Sequence, residues 1–80
     1  MKDDEIQFLK IVYQRCNQII DGQFVKRERV RDVISEIEIH HKRCWYLLKK
    51  WAEKDWYDYG ITLDLGWLTP SGVEKARELI

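Results

Sequence analysis

The stretch VRDVISEIEIHHKRCWYLLKKWAEKDWYDYG, residues 30–60, changes its hydrophobic period along its length, and where it changes decides the fold. Val30, Val33, Ile34 and Ile37 recur at three- and four-residue steps, the period of one face of an α-helix. A second helical pattern covers residues 40–54. At about 100° per residue, Cys44, Leu48 and Trp51 fall within a narrow apolar stripe, while Lys42, Tyr46, Lys49, Lys50 and Glu53 spread over the opposite side. Aromatic and basic residues are thus sorted rather than mixed: Trp51 belongs to the core, Tyr46 points outward, and Trp45 lies on the flank beside His41 and Ala52. After Lys54 the pattern becomes DWYDYGITLDLGWLT, aromatic and β-branched with glycines at 60 and 66, which predicts two short strands around a loop.

Outward from this stretch the elements follow in order. Upstream, Ile6, Leu9, Val12, Tyr13, Cys16, Ile19 and Ile20 predict a first helix over residues 4–21. Asp3, Asp4 and Glu5 suit the positive end of its dipole, and Gly22 is its stop. The QFV at 23–25 reads as a brief strand, and KRERVRDVISEI at 26–37 as the second helix. Downstream, Thr69 is a helix N-cap followed by Pro70 at the first helical position, with Val73, Ala76, Leu79 and Ile80 forming one apolar face. No repeat, low-complexity tract or linker interrupts the 80 residues, so residues 1–80 read as a single domain.

A chain this short buries only roughly 60% of the surface its unfolded form exposes, which leaves no room for a large enzyme cleft. Four Trp and four Tyr nevertheless promise a real core. No apolar run approaches the roughly 18 residues of a membrane span, and the acidic start MKDDEIQ is unlike a signal peptide, which predicts a cytoplasmic protein with no membrane partner. The formal charge is zero, but residues 1–22 carry three cations and four anions, residues 23–54 nine and five, and residues 55–80 two and five. The middle third is the basic part, and local field rather than net charge steers a phosphate backbone.

The segment from Val30 to Gly60 resembles the winged helix-turn-helix family: a second helix, a tight turn closed by Ile39, a recognition helix, and a descent into the wing. Cys44, Leu48 and Trp51 fall on the family's buried recognition-helix positions, and WLTPSGVEKA is similar to the second wing strand and following helix of many small bacterial and phage regulators. Asp55 stands where the family usually has a glycine in the left-handed conformation, which Asp tolerates better than most residues. The resemblance implies a mainly α fold with a small β-hairpin, in the order helix, short strand, helix, helix, two-stranded wing, helix. It also implies a DNA-binding protein, a transcriptional regulator of phage or plasmid type that reads duplex DNA with the third helix in the major groove. Carried over residue by residue, the contacting set is His40, His41, Lys42, Arg43, Tyr46, Lys49 and Lys50, with cations meeting phosphates and Arg43 or Tyr46 reaching base edges. A homodimer through the first or last helix would add a second half-site.

One departure favours a different class of function. The wing YDYGITLDLGW carries Asp58 and Asp64 and not one Lys or Arg, so it would repel phosphate. The alternative is a protein-interaction module on the same fold, using Tyr46, Trp45 and the acidic, hydrophobic wing to hold a protein partner. Other chemistries lack their residues. His40 or His41 with Cys44 gives two helical metal donors, and Cys16 is the one further soft donor, short of the four that a structural zinc wants. Ser35 and Ser71 sit near helix ends, where capping explains them, and no glycine loop that could cradle phosphate is present. The expectation is therefore no enzyme, no metal and no cofactor, with both cysteines as buried thiols.

Overall fold

The computed structural model describes residues 1–16, 19–20, 23–24 and 28–80, with the backbone alone at 19–20 and 23–24. The chain is mainly helical, with two small antiparallel hairpins. Helix α1 (Asp3–Ile11) runs on into a wider π-helical turn (Val12–Cys16), and a hairpin of β1 (Ile19–Ile20) and β2 (Gln23–Phe24) follows. Next come α2 (Val30–Glu36) and α3 (His41–Glu53), then β3 (Tyr57–Asp58), a 3₁₀ turn (Leu63–Leu65), β4 (Trp67–Leu68) and α4 (Pro70–Glu78). The hairpins are separate sheets: Ile19 pairs with Phe24 and Ile20 with Gln23 in one, Tyr57 with Leu68 and Asp58 with Trp67 in the other. Among the described residues no helix is long and apolar enough to cross a membrane.

Two expectations about element bounds are corrected. The first helix does not carry Ile19 and Ile20 on its face, because these residues form β1. Two adjacent β-branched residues followed by Asp21-Gly22 make the sequence signature of a two-residue hairpin, which outweighs the helical spacing. The second helix starts at Val30, four residues later than expected. Arg29 is extended (φ −78°, ψ 140°), the Glu28 amide donates to the Arg15 carbonyl (3.0 Å), and the Arg15 guanidinium clasps the carboxylates of Glu28 and Glu36. Residues 28–29 are thereby held to the π-helical turn instead of joining the helix. The expected stop at Gly22, and the parts of the strand and second helix at Val25, Lys26 and Arg27, lie outside the described residues.

The core forms where α1, α2 and α3 meet. Phe8, Leu9 and Val12 share one buried cluster with Val33 and Ile34 of α2 and the stripe Cys44, Leu47, Leu48 and Trp51 of α3. Phe8 and Trp51 stack with ring centroids 5.2 Å apart. Tyr57 and Leu68 of the β3–β4 hairpin and Ala76 of α4 close the core, whereas Ile80, expected on the apolar face of α4, is 67% exposed beyond the helix end.

The two ends of α3 decide how its outer face is presented. Ile37 is extended (φ −89°, ψ 159°), so residues 37–39 turn the chain between α2 and α3, with Ile39 half-buried against the core. His40 caps the new helix, its Nδ1 accepting from the Lys42 amide at 3.1 Å. At the far end Asp55 adopts the left-handed conformation (φ 62°). The Trp56 amide then donates to the Trp51 carbonyl (2.8 Å) and the Asp55 amide to that of Ala52 (3.2 Å), the paired bonds of a Schellman stop. Thr69 Oγ1 accepts from the Gly72 amide (3.1 Å) and donates to the Asp55 carbonyl (2.6 Å), so one side chain caps α4 and ties it to this corner. A Cβ on Gly72 would overlap the Trp56 carbonyl oxygen. Close approach of backbone to backbone there admits only glycine.

Candidate nucleic-acid interface

The exposed side of α3 carries His41, Lys42, Trp45, Tyr46, Lys49 and Glu53, with Arg43 and Lys50 half-buried along one edge. Tyr46 is 58% exposed and Trp45 42%. Trp45 therefore shares the outer face with Tyr46. Leu47, buried like Cys44 and Trp51, belongs to the inner stripe, and its spacing of three from Cys44 and four from Trp51 is the signal that marks it.

The structure separates the seven sequence-predicted contact residues into two groups. Arg43 and Lys50 turn toward α1. Arg43 donates from Nε and Nη2 to the two carboxylate oxygens of Asp4 (2.8 and 3.2 Å), and its guanidinium carbon lies 5.3 Å from the Tyr46 ring centroid. The hydrogen bond from Arg43 holds the Asp4 carboxyl below the usual aspartate range. Lys50 Nζ donates to Glu5 Oε1 at 3.0 Å, and Trp51 Nε1 donates to Glu5 Oε2 at 3.0 Å. Glu5 is buried and remains charged: burial raises its pKa, but the bonds from Trp51 and Lys50 outweigh that and hold it below the usual value. In the second group, Lys42 and Lys49 make no ion pair among the described residues. They flank Tyr46, with His40 and His41 at the start of the helix.

Other cations of the basic middle third are taken up in the same way. Arg29, just before α2, pairs with Asp32 in its first turn, and Arg31 reaches Asp64 in the 3₁₀ turn at 2.8 and 3.3 Å. Asp64 also accepts from Thr62 Oγ1 (2.8 Å), and the Arg31 bond keeps its carboxyl below the usual range. One of the two carboxylates of the β3–β4 segment, Asp64, thus anchors the hairpin to α2 and adds little negative field outside. Asp58 stays exposed and accepts from the Tyr59 amide (2.9 Å). Beyond it the hairpin tip is apolar, with Tyr59 44% and Ile61 92% exposed. Between the tip and α3 runs an open groove lined by Lys49, Ala52, Glu53, Asp55, Tyr57 and Asp58.

No protein-family model, curated protein or solved structure matches the chain. Its chemistry therefore has to be read from its own side chains. Among the described residues no three His, Cys, Asp or Glu side chains converge as a metal site would require. Burial pushes the Cys44 thiol up to about 11, and its Sγ lies 3.7 Å from the Ile39 carbonyl oxygen, so it is held as a neutral core group. The acids that Arg43 and Lys50 meet, Asp4 and Glu5, show in the sequence only as acids suited to the dipole of α1. They lie 39 and 45 residues from those cations, and no local pattern links them.

Proposed function

We propose that the protein is a small winged helix-turn-helix DNA-binding protein, a regulator of the compact phage or plasmid type, with α3 as the helix that enters the major groove. One observation carries the reading: on a helix set off by the bend at residues 37–39, Lys42 and Lys49 stand unpaired among the described residues on either side of exposed Tyr46. Lysines so placed suit phosphate contacts, and the tyrosine between them suits a base edge. The order α2, bend, α3 and antiparallel β3–β4 supports the winged-helix assignment, and the separate β1–β2 hairpin is an addition to that pattern.

Lys42→Ala together with Lys49→Ala is the test, because neither lysine holds an ion-pair partner among the described residues, whereas removing Lys50 would strip a bond from buried Glu5. Retention of random-sequence duplex DNA should fall, and the slope of log K against log salt should flatten by about 0.9 for each phosphate that a lysine no longer neutralises. Binding that keeps its original affinity and slope would remove α3 as the DNA surface.

A second reading is favoured by the exposed Tyr59 and Ile61 at a hairpin tip without a cation. There α3 and the wing hold a protein partner, and Tyr46→Ala costs at least about 2 kcal/mol of that contact while the lysine changes cost little.

A further inference from the structure

The pairing of Asp4 with Arg43 bears on how selectively α3 would read DNA. A guanidinium presents its N–H donors as a fork that fits a carboxylate and a phosphate equally well, so the two compete for the same edge. In this structure Asp4 occupies that edge, taking both Nε and Nη2 of Arg43. The guanidinium so fixed lies against the ring of Tyr46, three residues on and 58% exposed, which limits the positions that ring can take. We infer that Asp4 is a positioning residue for sequence selectivity. It withholds the charge of Arg43 from the phosphate backbone and, through Arg43, steadies Tyr46 for a base edge. The inference rests on the DNA-binding reading above. In physical terms, a contact common to all sequences is exchanged for one that differs between them.

Asp4→Asn separates this role from a merely structural one. It keeps the shape of the side chain but weakens its hold on Arg43, which then becomes available to phosphate. Binding is measured by fluorescence anisotropy over a salt series, on a random-sequence duplex pool and on a duplex selected from that pool by the wild-type protein. For the variant, affinity for the random pool should rise about five- to tenfold near 0.1 M salt, and the salt slope should steepen by about 0.9. Preference for the selected duplex should drop about tenfold as Tyr46 loosens. Asp4→Glu, which restores the charge, should bring slope and preference back toward wild type. A structural defect would lower affinity for both duplexes alike and leave the slope where it was. That result, or no change in slope and preference, overturns the inference while leaving DNA binding in place. If the wild-type protein retains neither duplex in a salt-dependent way, the DNA-binding reading falls and this inference with it.

Discussion

Replacing Glu5 by glutamine strikes the most buried charge among the described residues at a point where its worth can be worked out. Glu5 is 1% exposed and its two oxygens are each used, one by Trp51 Nε1 and one by Lys50 Nζ, both at 3.0 Å. Both partners are donors only, so a glutamine carbonyl can keep one of them and its amide must face the other. Trp51 is fully buried while the Lys50 side chain is 32% exposed, so Lys50 turns to water and the indole keeps its acceptor. The penalty is the missing charge assistance of one bond, together with the cost of a buried amide without an acceptor, about 2–3 kcal/mol in all. A domain of this size is worth only about 4–12 kcal/mol. With a urea dependence of about 1 kcal/mol per molar, the unfolding midpoint at pH 7 should fall by about 2–3 M. The pH dependence has a definite sign. The folded carboxyl titrates below the ordinary glutamate value of 4.5, so its contribution is complete above that pH and is lost as pH falls through the folded value. Glu5→Gln should therefore shed part of the acid sensitivity, and the gap from wild type should narrow toward pH 3. Urea titrations followed by far-UV circular dichroism at pH 7 and pH 3 provide both measurements. A Glu5→Gln midpoint within about 0.3 M of wild type at pH 7 would show that the two bonds do not hold α1 to α3 in solution.

Asp55→Gly should raise stability by about 0.5–1 kcal/mol, since φ is 62° there and glycine takes that conformation without a Cβ penalty; a lower urea midpoint would contradict the Schellman stop. Cys44, whose thiol burial raises to about 11, should resist iodoacetamide at pH 8 in native buffer and react only on unfolding. Mass spectrometry of the peptide carrying Cys44 reads this directly, and labelling within minutes under native conditions would place the thiol outside the core.

The sequence by itself determined those features whose cause lies within a few residues. The stripe Cys44, Leu48 and Trp51 could be read because a helix repeats every 3.6 residues, and the structure buries all three. Thr69 before Pro70 fixed the start of α4, and Asp55 was legible as the left-handed stop of α3. The exposed place of Tyr46 followed from the same helical geometry. Local spacing misled where two local codes competed. Ile19 and Ile20 fit a helical face, but as adjacent β-branched residues before Asp-Gly they form a strand. Only the tertiary structure decided which cations remain available. A lysine or arginine in the sequence carries its charge but not the address of its counter-ion, and Arg31, Arg43 and Lys50 find theirs 33, 39 and 45 residues away. Packing of α1 against α3 brings Asp4 and Glu5 to that edge, and the hydrogen bonds formed there hold Glu5 charged despite its burial. The face that the sequence lines with Lys42, Arg43, Lys49 and Lys50 therefore keeps, among the described residues, two unpaired lysines beside a tyrosine, because ion pairing depends on distance in space and the chain sets that distance only when it folds.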